Sequence, residues 1–340
     1  MIFRGNSQIM GSGSFVPKTV VSSVDLLDEL HSEARFGIQS TWMDDALGIK
    51  TRHYCDDSAR PSDIAVLAAQ EAIEDAGIDV LDIDAIIYCG ITGDFIEPGT
   101  AHIIQHKIGA RNAICKDVSN ACHGFCDGML FADLMIGGGI ENALVVTAEL
   151  TKVSRLFIPL LEKEKDVNKF SYSMGALSVG DAAGAMILSK KTDPERGIEV
   201  INTVSDGQYN DLCSYDIVDG QIEGGMVMER ISYIGVRQCA KQLPATLEAF
   251  NNENKTVTNL VMHQVGKKPY EAMIKIASRA LKYRPENIPK TFDRLGNITT
   301  ATIPLNYDLL RKSGKMDPGE KMMFVGNGSG HVLTWFGLTI

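Results

Sequence analysis

Asp117-Val118-Ser119-Asn120-Ala121-Cys122-His123-Gly124-Phe125-Cys126-Asp127-Gly128-Met129 joins two patterns. The half-apolar run from Asn112 to Val118 reads as a strand leaving a core, and Phe125, Met129, Leu130, Leu134 and Ile136 continue at helical spacing. Cys122 therefore stands where a strand turns into a helix. A thiol there lies over the first unpaired N–H groups of the helix, whose partial positive charge favours the nucleophilic thiolate. The competing reading is a small buried hydrophobe, the usual fate of a free cysteine. One junction does not choose between the two.

Working outward, the elements around this junction occur twice. In the first half, Ser62-Asp63 can cap a helix through Ala65, Leu67, Ala68, Ala72 and Ile73 that Gly77 ends. It feeds strand 83–89, the Cys122 junction, strand Ala143–Ala148 and a glycine turn at Gly180 leading into a further strand. In the second half, helix Ile231–Phe250 passes through polar residues 251–255 into strand Val257–His263. Helix Tyr270–Leu281 follows, then Gly296-Asn297-Ile298-Thr299-Thr300-Ala301 opens a helix through Pro304, Tyr307 and Leu310, and strand 321–325 ends in Gly326-Asn327-Gly328-Ser329-Gly330. Such alternation implies two mixed α/β halves, with right-handed crossovers between parallel strands. The division is expected at 1–195, which carries Cys122, and 196–340, which carries His263 and Asn297. Taken alone, a histidine after a strand is usually a satisfied core or surface residue, and Gly-Asn before a helix is usually a capped turn. Their matching places in a repeat make Cys122, His263 and Asn297 candidates for one shared centre.

Composition narrows the function classes. The 340 residues are 44% hydrophobic and 22% charged, enough for a large core, and no apolar run is long enough to span a bilayer. The start, Met1-Ile2-Phe3-Arg4, lacks a basic region followed by an apolar core, so the expected location is the cytoplasm. With 33 Lys and Arg against 43 Asp and Glu the net charge is −10, which argues against a nucleic-acid surface, although Lys267-Lys268 could receive a phosphorylated carrier. The seven cysteines are an odd number, mostly scattered, and read as reduced. Cys122 and Cys126 lie four apart, but no second Cys or His pair with ligand spacing accompanies them, so no metal is expected.

Asn120-Ala121-Cys122, His263-Gln264 and 296–301 resemble the three active-site blocks of β-ketoacyl-acyl-carrier-protein synthase III, among the thiolase-like condensing enzymes. Gly48-Ile49-Lys50-Thr51-Arg52, Gly180-Asp181-Ala182-Ala183-Gly184-Ala185 and Asp317-Pro318-Gly319-Glu320 resemble its other landmarks, in order. The resemblance implies an α/β fold of five layers, αβαβα, built from two duplicated halves, and a homodimer. It also implies roles. Cys122 would take an acyl group from a coenzyme A or carrier-protein phosphopantetheine thioester, with no further cofactor. The Cys122 N–H and one from Gly328-Ser329-Gly330 would hold the oxyanion, while His263 Nε2 and the Asn297 amide would donate to the second thioester in a Claisen condensation. Phe125 would line the acyl pocket and Trp42 would stack on the adenine of coenzyme A.

Departures from the family pattern point to a branch. His263-Gln264 is followed by Val265-Gly266 instead of Ala-Asn, and Ala46 stands where an arginine usually follows the tryptophan, which bears on coenzyme A as donor. In Asp94-Phe95-Ile96-Glu97-Pro98-Gly99-Thr100-Ala101, Glu97 replaces an aromatic gate that reaches the neighbouring subunit's pocket. A carboxylate at that place resembles the head-to-head, olefin- and pyrone-forming ketosynthases, where it deprotonates an acyl or β-ketoacyl thioester without decarboxylation. The other reading is a loop residue capping the helix that follows Pro98. Beyond condensation stand acyl transfer to an alcohol or amine, and a silent subunit of a heterodimeric synthase; the bond formed, or activity of the purified chain, separates these.

Overall fold

Strands buried along almost their whole length need cover on both faces. Ala85–Tyr88, Asn142–Glu149, Ala182–Lys190 and Val332–Thr339 are of that kind. The computed structural model describes residues 1–150, 155–218, 221–250 and 256–340, and the polar connector 251–255 lies outside them. In chain order the strands are β1 (Ile2–Arg4), β2 (Ser7–Phe15), β3 (Thr19–Ser22), β4 (Thr51–Tyr54), β5 (Ala85–Tyr88), β6 (Ile114–Asp117) and β7 (Asn142–Glu149). They continue as β8 (Ala182–Lys190), β9 (Gly197–Ser205), β10 (Cys213–Val218), β11 (Gln221–Met226), β12 (Val257–Met262), β13 (Lys321–Gly328) and β14 (Val332–Thr339).

The first sheet runs β2-β8-β7-β5-β6 and the second β1-β9-β14-β13-β12. Directions repeat as well as order. β5 is parallel to β7, and β8 is antiparallel to both β7 and β2; β12 is parallel to β13, and β14 is antiparallel to both β13 and β9. The run β2-β8-β7-β5 thus has its counterpart in β9-β14-β13-β12. β1, from the start of the chain, crosses over to extend the second sheet beside β9.

Helices cover each face. Pro61–Ala76 and Thr100–Ile108 lie on the outside of the first sheet, with Ala65, Ala68 and Ala72 against it. The approach is close enough that a Cβ on Gly11 or Gly13 of β2 would collide with the Ala72 or Ala68 carbonyl oxygen. Helices Gly124–Gly137 and Thr302–Lys312 form the middle layer, where Phe125, Met129, Ile303 and Tyr307 share a core with Val145 of one sheet and Phe324 of the other. Met228–Ala249 and Lys267–Leu281 close the outside of the second sheet over Leu260, Val325 and Trp335. The result is the αβαβα order, in which each fully buried Phe or Leu of the middle layer contributes ~1.5–3 kcal/mol. Among the described residues no helix is long and apolar enough to cross a membrane.

The structure adds a hairpin, β10–β11, that the periodicity does not reveal. The segment near Arg155 becomes two short helices, Phe157–Lys163 and Val167–Ser173, packed on a separate small cluster with Leu26 and Leu27.

Candidate active site

Both halves deliver a sharp turn to the middle of the molecule. In the first, Ala121 takes a left-handed backbone (φ 47°), and hydrogen bonds from His123 N to Asn120 O (3.0 Å) and from Gly124 N to Ala121 O (3.1 Å) close the bend. Asp127, one helical turn on, accepts from Asn120 Nδ2 at 2.6 Å and lies 3.1 Å from His123 Nδ1. His123 Nε2 meets Thr334 Oγ1 of β14 at 2.9 Å. Cys122 is thereby carried on a braced loop two residues ahead of the helix Gly124–Gly137.

The acidity expected from the helix start is not what this environment favours. Burial pushes the Cys122 thiol well above its ordinary value, the neighbouring Cys213 and Glu149 act in the same direction, and only its own backbone N–H opposes them. Desolvation is the largest of these influences, because a thiolate taken out of water loses its hydration. The resting residue is a thiol.

In the second half, Thr299 has the matching left-handed backbone (φ 46°). Asn297 is threaded against the first half: its N–H donates to Ser178 O (2.9 Å) and its C=O accepts from Gly180 N (3.2 Å). Gly296, at φ 68°, has no room for a Cβ beside the Ser178 carbonyl oxygen, so this crossing requires glycine. Asn297 Oδ1 accepts the Thr299 N–H at 3.0 Å, which turns the amide so that Nδ2 is its free donor end.

His263 continues the line of β12, its N–H donating to Val325 O at 3.0 Å. Its Nδ1 lies 3.3 Å from Thr302 Oγ1, and that hydroxyl donates to Thr299 O at 2.8 Å. The Thr302 proton is thus committed, so Nδ1 carries the imidazole hydrogen and Nε2 presents a lone pair. Burial first, and then the charge of His123, lower the His263 pKa to about 4, against a smaller pull from the Thr299 backbone. Burial thus favours the neutral ring, with Nε2 facing away from the Thr302 contact.

Cys122, His263 and Asn297 line one cavity together with Gly328, Ser329 and Cys213. A second cavity, of about 320 Å³, shares Cys122, Asn297, Cys213 and Ser329 with the first and is walled by Phe157 and Tyr215. The two spaces meet at the thiol, one leading past His263 and the other past hydrophobic walls. Gly328 is packed so closely that a Cβ there would sit 2.9 Å from both the Cβ and the backbone nitrogen of His123. Gly330 turns the chain at φ 78°.

Other expected residues fall elsewhere. Phe125 is 1% exposed in the core between the sheets and does not wall either cavity: in a helix covered by a sheet on each side, apolar spacing does not say which face meets a ligand. Trp42 packs against the cluster of Leu26, Leu27 and Met43. Glu97 is exposed on the loop before Thr100–Ile108 and lines neither cavity of its own chain. It does not cap that helix, because Asp117 does so, accepting from Thr100 N (2.7 Å) and Ala101 N (2.9 Å). Ile91, Phe95 and Ile96 are exposed on the same loop, Ile96 completely. Glu149 and Cys213 are cavity residues that the sequence reading did not single out. A carboxylate directly after the apolar run 143–148 was a visible signal for the first; none marked the second.

Family models for 3-oxoacyl-[acyl-carrier-protein (ACP)] synthase III match residues 116–207, and those for its C-terminal part match 247–340. The chain is 30% identical over 338 residues to the beta-ketoacyl-[acyl-carrier-protein] synthase III of Ehrlichia canis, covering 97% of each chain. Among solved structures, Xanthomonas campestris OleA with cerulenin bound matches with a TM-score of 0.89 and 25% identity, over 100% of this chain and 98% of that one. A histidine-to-alanine variant of OleA matches with the same TM-score and identity over 100% of both chains.

Proposed function

The chain belongs to the 3-oxoacyl-[acyl-carrier-protein] synthase III family and is a thioester-condensing acyltransferase; on that premise we propose that Cys122 is its nucleophile and that His263 and Asn297 serve the condensation. The observation that carries this reading is the meeting of the three side chains, from both halves, on the wall of one cavity.

In the first step the Cys122 sulfur attacks an acyl thioester carried on coenzyme A or on an acyl carrier protein. The thiol proton passes to the His263 Nε2 lone pair and then to the departing thiolate, so a free thiol leaves and an acyl group remains on Cys122. The N–H of Cys122 and one from Gly328-Ser329-Gly330 hold the oxyanion. In the second step a malonyl thioester loses carbon dioxide, or an acyl or β-ketoacyl thioester loses an α-proton, and the carbanion attacks the acyl carbon and expels the Cys122 thiolate. Asn297 Nδ2, joined by His263 when its Nε2 takes a proton from water, supports the enolate oxygen, and that proton then passes to the expelled Cys122 thiolate to restore the thiol.

For the second route we assign the proton to the partner subunit's Glu97 in a homodimer. Support comes from the exposed loop bearing Glu97 among uncovered apolar residues, from helix capping by Asp117 in its stead, and from the likeness to OleA. The products belong to fatty-acid or related metabolism.

Intact-protein mass spectrometry after incubation with acyl thioesters of graded length tests the first step. One acyl group on Cys122, absent from Cys122→Ala, is expected. No adduct at any length, or an adduct confined to another cysteine, overturns it. In the same assays Glu97→Gln should slow the non-decarboxylating reaction ~100-fold and leave malonyl condensation within a few-fold, the scale of a lost general base. Equal effects on both would remove Glu97 from the mechanism.

A further inference from the structure

Glu149 ends β7 with its side chain in the cavity beside Cys122, and the steps above do not use it. It is 4% exposed. A carboxyl in such a place is costly unless its oxygens are hydrogen-bonded, so its partners indicate its task. Oε1 accepts the Ile91 N–H at 3.1 Å and also the Thr300 hydroxyl. Thr300 Oγ1 is itself bonded to Thr147 Oγ1; because Thr300 gives its one proton to Glu149, Thr147 donates in that second bond. Burial pushes the Glu149 carboxyl up to about 7, against the pull of the bonds from Thr300 and Ile91.

These partners sit on the two segments that matter for the second step. Ile91 lies at the start of the loop leading to Glu97. Thr300 follows Thr299, whose N–H orients the Asn297 amide. One carboxylate oxygen therefore ties a loop of the first half to a turn of the second, across the floor of the cavity. Glu149 shares the cavity wall with Ala121 and Cys122, and its charge helps push the Cys122 thiol up, but its hydrogen bonds from Ile91 and Thr300 lie on the condensation side.

We propose that Glu149 is a positioning residue for condensation: through Thr300 it holds the turn that aims Asn297, and through Ile91 it anchors the loop that carries Glu97, while acylation of Cys122 proceeds without it. The inference rests on the roles proposed above for Cys122 and Asn297.

The test separates the two steps in the full-length enzyme. Rapid quenching with an acyl thioester alone reads acylation from the mass adduct on Cys122; addition of a second thioester to the preloaded acyl-enzyme reads carbon–carbon bond formation. Glu149→Ala should slow the second step ~100-fold, the scale of a misplaced transition-state donor, while acylation is not slowed and gains from the loss of a charge that pushes the Cys122 thiol up. Glu149→Gln keeps an oxygen acceptor for Ile91 and Thr300 and should recover to within ~10-fold of the natural enzyme. Thr300→Val removes a single bond and should slow condensation ~10-fold with acylation unchanged; it keeps the test decisive if Glu149→Ala does not fold. Equal slowing of both steps by Glu149→Gln and Thr300→Val reveals a merely structural group and overturns the proposal, as does condensation at the natural rate in Thr300→Val and in whichever Glu149 variants fold. Failure of the natural enzyme to acylate Cys122 is a separate result, since it removes the nucleophile itself.

Discussion

The turn at Ala121 and the turn at Thr299 are one backbone device used twice, for opposite ends. Each holds a non-glycine residue in the left-handed region, at φ 47° and 46°, and each opens a helix of the middle layer. Each also abuts the last residue of an interior strand of the other half. At the first turn that residue is Gly328 of β13, pressed against His123; at the second it is Glu149 of β7, bonded to Thr300. A glycine at the crossing leaves bare backbone and space beside Cys122. A carboxylate at the crossing fills the space and locks Thr300. Duplication supplied two equivalent turns, and the facing strand ends differ: bare backbone beside the first and a hydrogen-bonded carboxylate beside the second.

The most severe way to break this contrast is Gly328→Ala. Its Cβ would meet backbone and Cβ atoms of His123 at 2.9 Å, and no rotamer change relieves that. We expect acylation of Cys122 to slow ~100-fold, on the scale of a lost oxyanion donor, and stability to fall by ~1–3 kcal/mol from overpacking. The rate of adduct formation and the urea midpoint measure both. Acylation at the natural rate would show that the open crossing is unnecessary.

A middle-sized effect should appear in the pH dependence of stability. The His263 pKa is depressed from 6.5 to about 4, so the unfolded chain takes the proton first. Its contribution is present above pH 6.5 and lost as the pH falls through 4. The Glu149 pKa is raised from 4.5 to about 7, so its contribution is present below pH 4.5 and lost as the pH rises through 7. Between pH 4.5 and 6.5 the two trends oppose one another. His263→Asn should therefore unmask a decline with rising pH, and Glu149→Gln a decline with falling pH, each of roughly 3 kcal/mol. Urea unfolding at intervals from pH 4 to 8 checks the signs; the same slope in both variants would refute the assignment.

The smallest effect concerns the backbone itself. Ala121→Gly and Thr299→Gly relieve a left-handed L-residue, and a shift in Tm equivalent to a gain of up to ~1 kcal/mol is expected for Ala121→Gly. Thr299→Gly should gain more before its lost side-chain contacts are counted, because a β-branched residue is the more strained there. Destabilisation by Ala121→Gly would mean that the turn is not strained.

Much of this was legible. Apolar runs such as 143–148 and 257–262 mark strands buried on both faces, and their repeated order identifies the duplication. Cys122, His263 and Asn297 stand out because each follows a strand or a glycine at equivalent places. The β10–β11 hairpin was not legible, because Gln221–Met226 is polar and glycine-rich and lacks the apolar alternation that marks a half-buried strand. The side-chain surroundings of Phe125 and Trp42 were not legible: Phe125 packs between the sheets and Trp42 lies half-buried beside Leu26 and Met43, and only packing on both sides shows that.

By itself the sequence determined the order of elements, the repeat and the identity of the polar groups at the turns, because these depend on local pattern: buried runs, breaker glycines and residues able to bend the chain. The tertiary structure decided the state of those groups. Whether Cys122 rests as a thiol, which nitrogen of His263 holds the proton and what Glu149 binds all depend on burial and on neighbours from other elements, such as Cys213 beside Cys122, Thr302 beside His263 and Thr300 on Glu149. Desolvation and hydrogen bonding act through space, and they come into being only when the two halves close on one another.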